Sequence, residues 1–342
     1  MDSIFEIIRC GINTTFQDEG RPNLNHIGVP FSGAMDRRNY RLANAIMGNK
    51  IDNPLLEFAY QGPLIKYRGD KINFVITGDV IFKIISKGNE FQGNCYESYF
   101  IEDGDLIDII STNKSVYGYL AISGEFDLIP QWGSYSINTK ANIGANNGKK
   151  LENNQKINIL KINKNQIKKK INYINTKIEK IRVIKATNFH YFSDQGKKFF
   201  FEKEFTVSKL SDRMGMRLEG HNIENIVDTN IKSEGLIKGV IQIPADGNPI
   251  IMLSDHGTIG GYPKIGVVIS ADYDKLVQLS PGSKIKFQEI ELSDAETLFW
   301  IQVRFELICH NQHLQQHLFL DSHQQFHDLK ALLSDFHLLE LE

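Results

Sequence analysis

Short apolar runs rich in Ile, Val, Phe and Tyr, broken every few residues by Gly, Asp or Asn, dominate the chain from residue 4 to about residue 290. β-Branched runs bounded by turn formers predict strands, here at residues 4–9, 55–58, 64–67, 72–76, 81–85, 106–110 and 117–122. Strands so short and so closely spaced predict an antiparallel barrel or sandwich rather than alternating βαβ units. One helical period interrupts them over residues 37–47, where Tyr40, Ala43, Asn44 and Met47 recur three and four residues apart. Asp36 stands at its N-cap position and Gly48-Asn49 is its stop signal.

The strand pattern restarts at residues 181–184 and continues at 204–208, 241–244, 250–253, 265–269 and 285–287, with an aromatic-rich stretch at 189–201 and a short helix near 274–279. Between the halves, Lys, Asn and Ile dominate and glycine is absent, which reads as a basic linker. After Ser293-Asp294-Ala295-Glu296, with the form of a capping box, Leu298, Ile301, Phe305 and Ile308 recur at helical spacing. The predicted organisation is an N-terminal subdomain over 1–150, a linker over 151–180, a second β-barrel subdomain over 181–292 and a helical, His-rich tail over 293–342. The fold class is mainly β with a few helices.

A length of 342 residues agrees with two domains, since single cores stop growing near roughly 250–300 residues. The net charge of −2 carries no footprint for nucleic acid. Three scattered cysteines without a C-x-x-C indicate neither a disulfide framework nor a zinc site, and fit a reducing compartment. No stretch approaches the 18 or so apolar residues of a membrane span, so the expected location is cytoplasmic, with no membrane partner. His313/His317 and His323/His327 have the i,i+4 spacing of a metal pair but lack a carboxylate companion, and no metal is expected.

Polar chemistry collects in four loops. Residues 254–265 carry Asp255, Gly260, Gly261, Tyr262, Pro263 and Lys264 between two apolar runs, a pattern that suits either a ligand-facing loop or a hairpin turn. Residues 11–22 and 28–36 supply Gln17, Asp18, Arg21, Ser32 and Asp36, the last as a helix cap or a ligand group. In residues 211–220, Asp212 and Arg213 have the spacing of an internal ion pair. Residues 144–150 lack both the glycine spacing and the Ser or Thr of a phosphate loop.

Taken in order, Thr14-Thr15-Phe16-Gln17-Asp18-Glu19-Gly20-Arg21, Gly28-Val29-Pro30-Phe31-Ser32-Gly33-Ala34-Met35-Asp36, residues 211–220, Ser233-Glu234-Gly235, Ile241-Gln242-Ile243-Pro244 and residues 260–265 resemble the biotin-dependent carboxyltransferase A/B-subdomain family. That family includes allophanate hydrolase subunit 2-like proteins, the C subunit of 5-oxoprolinase and part of urea carboxylase. The likeness runs from about residue 8 to residue 288. It departs at 123–126 and 131–136, in the longer linker, and beyond residue 292.

The resemblance implies two cyclophilin-like β-barrel subdomains and a partner chain carrying the C/D subdomains, of the B-subunit type. It implies the C subunit of an ATP-dependent 5-oxoprolinase that opens 5-oxoproline to glutamate, together with a LamB/YcsF-type subunit. The alternatives are a urea carboxylase component and a regulatory partner-binding protein. No cofactor is expected to be held covalently; ATP, or carboxybiotin on a partner protein, is implied, with a small amide or lactam as substrate. By residue type, Arg21, Arg213 and Lys264 are the expected clamps for an oxyanion or carboxylate, and Asp18, Asp36, Glu234 and Asp255 the base or orienting groups. Gln17, Ser32, Gln242, Gly260, Gly261 and Tyr262 are the expected substrate liners.

Overall fold

Two β units share one buried seam. The computed structural model describes residues 3–162, 168–171 and 180–311, with side chains to residue 304. Both histidine pairs of the tail lie outside the described residues.

In the first unit a seven-stranded antiparallel sheet runs in the order Gly124–Phe126, Lys156–Ile162, Ser3–Arg9, Leu64–Arg68, Leu106–Thr112, Val80–Ser86, Asn89–Gln92. A five-stranded sheet, Asn13–Gln17, Leu55–Ala59, Tyr117–Ile122, Ile72–Thr77, Ser98–Ile101, faces it. Alternation along Ser3–Arg9 and Val80–Ser86 turns Phe5, Ile7, Phe82 and Ile84 inward, against Phe16, Phe58, Phe74 and Leu120 of the other sheet. The five-stranded sheet is covered on its other face as well. There Leu55, Ala59, Val75, Tyr119 and Ala121 join a second core with helix α1 (Arg37–Met47) and the second unit. Burial on both faces explains why Ile72–Thr77 and Tyr117–Ile122 are mostly apolar without a strict polar alternation.

The second unit is an eight-stranded sheet in the order Lys284–Ile285, Phe205–Val207, Gly215–Glu219, Ile250–Met252, Val240–Gln242, Lys264–Val268, Ile181–Lys185, Phe287–Glu289. Its two edge strands are separated in sequence by Lys286 alone, so the sheet curls back on itself as a nearly closed barrel. Helix α2 (Asp194–Glu202), capped by Ser193, takes up part of the aromatic-rich stretch and lays Phe200 on Phe287 with ring centroids 4.4 Å apart. Helix α3 (Ser270–Leu276) follows the strand Lys264–Val268, and a ribbon of Glu234–Gly235 and Ile259–Gly260 lies beside the sheet.

Two boundaries differ from those expected. Lys156–Ile162 falls in the expected linker but pairs with Ser3–Arg9, burying Ile157 and Ile159 while its lysines and asparagine face water. The Lys/Asn bias of that region conceals a two-residue alternation. Helix α4 (Leu292–Asn311), the start of the expected tail, lies against α1 and α3 and buries Leu298 and Ile301.

Phe200→Ala opens a cavity beside a stacked ring and is expected to cost about 3–5 kcal/mol in denaturant unfolding. A loss below about 1 kcal/mol would show that the barrel core does not rest on this contact.

Candidate functional site

Arg213 precedes the strand Gly215–Glu219 of the second unit, and its guanidinium reaches into the first. Nε donates to Asp255 Oδ2 at 2.8 Å, and Nη2 donates to Asp255 Oδ1 at 3.2 Å, to the Gly33 carbonyl at 2.7 Å and to Gln17 Oε1 at 3.4 Å. Nη1 donates to Glu57. The Asp255 amide returns a bond to the Arg213 carbonyl at 2.9 Å, so the pair is fixed by backbone as well as side chain. Glu57 also accepts the Met35 amide at 2.7 Å and is bonded to the Tyr119 hydroxyl. Tyr119 in turn accepts the Asp36 amide at 2.7 Å. The Asp36 carboxylate caps α1 through the Asn39 amide and accepts Gln278 Nε2 at 2.8 Å. Gln278, from the second unit, also accepts the Val116 and Tyr117 amides. Arg213 and Gln278, both from the second unit, therefore tie it to the first.

Burial alone would lower the Arg213 pKa, yet the Asp255 and Glu57 carboxylates outweigh it and hold the guanidinium charged. Burial pushes the Glu57 carboxyl up, against the pull of Arg213. Burial also pushes Asp36 up to about 6, with Arg38 opposing and Asp274 adding to the rise.

A second cluster lies within the first unit. Asp18 accepts the Gly20 amide at 2.9 Å, Ser134 Oγ at 2.6 Å, the Tyr135 amide at 2.6 Å and the Ser136 hydroxyl. Arg21 is fully buried; Nε donates to the Gln131 carbonyl at 3.2 Å, Nη2 donates to the Ser136 carbonyl, and Nη1 has no hydrogen-bond partner. Burial lowers its pKa, opposed by Asp18 and Asp255. Ser32 accepts Asn138 Nδ2 at 3.3 Å and sits at φ 59°, a left-handed conformation costly for a residue with a Cβ, next to Gly33.

The loop at 254–265 splits in two. Its first part, with Ser254, Asp255 and His256, lies buried at the seam, where Ser254 Oγ donates to the Ala34 carbonyl at 3.4 Å. Its second part closes on the second unit's own ribbon. Gln242 Nε2 donates to the Tyr262 carbonyl at 3.2 Å, and Lys264 Nζ donates to Glu234 Oε2 at 2.6 Å. That bond to Lys264 keeps the half-exposed Glu234 below the usual carboxylate range. A Cβ at Gly260 would stand 2.7 Å from Gln242 Nε2, so any larger residue there must displace the Gln242 side chain, and Gly261 lies under the Ile231 carbonyl. Tyr262 remains part-exposed.

The ion pair expected between Asp212 and Arg213 does not form. Asp212 turns to Lys140 and to the Met214 and Gly215 amides, because the adjacent side chains leave the loop in different directions. Sequence reasoning also passed over Glu57, Tyr119 and Lys238, and gave Gln278 no site role. Glu57 had a signal, a carboxylate inside the apolar run Leu55-Leu56-Glu57-Phe58-Ala59. Lys238 had none. Its Nζ lies buried without a hydrogen-bond partner, 5.3 Å from the ring centroids of both Phe31 and Tyr273. Burial, reinforced by Arg37, holds its pKa down to about 7.

The class defined by this architecture is a double β unit whose two halves meet at a buried charged seam. A profile of the carboxyltransferase domain, subdomain A and B, matches residues 27–289, and the chain belongs to that family. It is 29% identical over 296 residues to the C subunit of 5-oxoprolinase from Haemophilus influenzae, across 86% of this chain and 94% of that one. The likeness to the corresponding C subunit from Escherichia coli is also 29%, across 85% and 93%. The urea carboxylase of Kluyveromyces lactis superimposes with a TM-score of 0.81 at 25% identity, across 93% of this chain and 30% of that structure. Among the described residues no helix is long and apolar enough to cross a membrane.

A raised carboxyl pKa favours the protonated native state, so Asp36 makes the fold less stable as pH rises from about 4 through about 6. Asp36→Asn keeps the cap and removes that dependence. Unfolding measured at about pH 4.5 and pH 7 is expected to show a smaller loss between the two in Asp36→Asn than in wild type. Equal losses would show that Asp36 ionises freely in the native state.

Proposed function

We propose that the chain acts as the C subunit of an ATP-dependent 5-oxoprolinase, opening 5-oxoproline to glutamate in a cytoplasmic complex with a partner of the B-subunit type and a LamB/YcsF-type subunit. The observation that carries this reading is the likeness to the C subunit of 5-oxoprolinase, higher in identity than that to the urea carboxylase and extending over nearly all of the relative's length. The free thiols Cys10 and Cys95 agree with a reducing compartment.

The described residues do not fit a bound triphosphate. The N-termini of α1, α2 and α3 carry Asp36, Asp194 and Asp272, which repel an anion, and residues 144–150 form only a short 3-10 turn. ATP is therefore assigned to a partner subunit. One buried donor suited to a carboxyl or an oxyanion is left open: Arg21 Nη1, within the first unit, has no hydrogen-bond partner, whereas each nitrogen of the Arg213 fork is already committed and Lys238 Nζ rests over the Phe31 and Tyr273 rings. In this reading Arg213, Asp18 and Asp36 position the site. Arg21 and the Lys264–Glu234 pair stabilise developing charge, and Asp255 orients. Ser32, Gln17, Gln242, Gly260, Gly261 and Tyr262 line the approach.

A second reading, transfer of a carboxyl group from carboxybiotin on another protein, is supported by the overlap with urea carboxylase.

The test is ATP-dependent release of glutamate from 5-oxoproline by the purified complex with its partner subunits. Lys264→Met is expected to assemble normally and to lower kcat/KM by about 10²-fold. An intact complex with no turnover rejects the proposal, and a variant that loses assembly instead of turnover makes the ribbon a docking element.

A further inference from the structure

A cavity of about 190 Å³ opens on the seam between the two units, on the flank of the Arg213 cluster. Asn13, Ala59, Tyr60 and Tyr117 of the first unit line it, and Arg213 faces them from the second. Pairing sets Asn13 opposite Ala59, and Ala59 opposite Tyr117, at one end of the five-stranded sheet. Directly paired residues share a face, so the Asn13 side chain looks toward the second unit with Ala59 and Tyr117, members of the core that the units share. Met216 and Leu253 supply an apolar wall on the far side.

Two polar side chains of this lining are uncommitted. The Asn13 carboxamide and the Tyr60 hydroxyl have no hydrogen-bond partner among the described residues, whereas Arg213 is held by Asp255, Glu57 and Gly33. Tyr60 is also held in a costly conformation. Its φ is 60°, and the Gln61 amide bonds the Ala59 carbonyl at 2.7 Å across it, the rare and strained form of the three-residue turn. The turn keeps the ring at the cavity while 41% of the residue stays exposed. Backbone strain of this kind clusters at ligand sites, where the surrounding structure over-determines it.

Size and charge select the occupant. An apolar cavity of about 150 Å³ holds one benzene ring, so about 190 Å³ admits one small ring and excludes a nucleotide. The two charged residues of the lining are both paired, Arg213 with Asp255 and Glu57, and Asp212 with Lys140. The interior therefore suits an uncharged ring, and a carboxylate belongs on the solvent side, where the exposed Lys140 lies. The Asn13 carboxamide presents a donor and an acceptor side by side, and a lactam, with N–H and C=O fixed on one side of its ring, answers both.

We propose that the seam cavity is the pocket for the five-membered lactam ring of the substrate. The ring lies against Met216 and Leu253, its N–H and C=O pair with the Asn13 carboxamide, Tyr60 closes the open side, and the carboxylate faces out toward Lys140. This rests on the function proposed above and gives its substrate a place.

The experiment has two arms. The first uses the full chain alone, carrying 13C at the methionine methyl groups. 2-Pyrrolidinone, the neutral ring of the substrate, is expected to shift the Met216 resonance saturably, and 5-oxoproline to compete with it; Met216→Leu identifies that resonance by its loss. Cyclopentanone, a ring of the same size without the N–H, is expected to bind about 10-fold more weakly, and Asn13→Leu to weaken 2-pyrrolidinone by about 10-fold. Tyr60→Asn should also weaken it, yet unfold at a temperature no lower than wild type, because asparagine accepts a positive φ that strains tyrosine. The second arm is the assembled complex, where Asn13→Leu should raise KM for 5-oxoproline about 10-fold and lower kcat by less.

A Met216 resonance unmoved across the 2-pyrrolidinone titration would overturn the proposal, as would an Asn13→Leu chain that binds the lactam like wild type. So would bound 2-pyrrolidinone that 5-oxoproline does not displace, since the carboxylate would then have no place at the mouth. A folded complex inert toward 5-oxoproline rejects the function proposed above, while the Met216 shift still decides whether the cavity takes a lactam.

Discussion

A guanidinium withdrawn from water is tolerated only where anions and carbonyls replace its hydration, and the seam between the two β units is arranged around that requirement at Arg213. Asp255 comes from the same unit, while Glu57, Gly33 and Gln17 come from the other. No one stretch of chain satisfies the group. The loop at 28–36, the strand Leu55–Ala59 and the loop at 254–265 must all be in register before Arg213 is paired, so the charge selects one arrangement of the halves. Gln278 strengthens that selection by reaching the Asp36 cap and two amides of the segment at 116–117.

Because those contacts fill the donors of Arg213 and the acceptors of Asp18, the residues that look most reactive by type are the most fully occupied. Hydrogen bonding is incomplete instead at Arg21 Nη1 and at Lys238 Nζ, the latter resting over the Phe31 and Tyr273 rings. Interaction energies inside such a cluster are not additive, and removing one member leaves the others buried without compensation. A loss of activity on substituting Arg213 alone would therefore not separate chemistry from assembly.

Much of the fold was legible because β-branched runs punctuated by Gly, Asp and Asn leave little choice but short antiparallel strands. The predicted strands at 55–58, 64–67 and 117–122 lie within one residue of those observed. Asn89–Gln92 and Ser98–Ile101 escaped notice because they are short and mixed in polarity, and Lys156–Ile162 because its exposed face is lysine and asparagine. The site was legible as a set of loops but not as contacts. Nothing in sequence spacing says that Arg213 would pass over its neighbour Asp212 for Glu57, 156 residues away, or that residues 134–136 would hold Asp18. Lys238, an ordinary lysine before a glycine, acquires its character only from Phe31 and Tyr273 brought against it by the packing of two units and α3.

The central claim, that one buried arginine couples the two β units, is tested most directly by a double-mutant cycle in equilibrium unfolding with Arg213→Met and Glu57→Gln. The account predicts one cooperative transition in wild type and a coupling of about 2–3 kcal/mol between the two substitutions. Additive effects within about 0.5 kcal/mol, or two separate transitions in the wild-type protein, would contradict it.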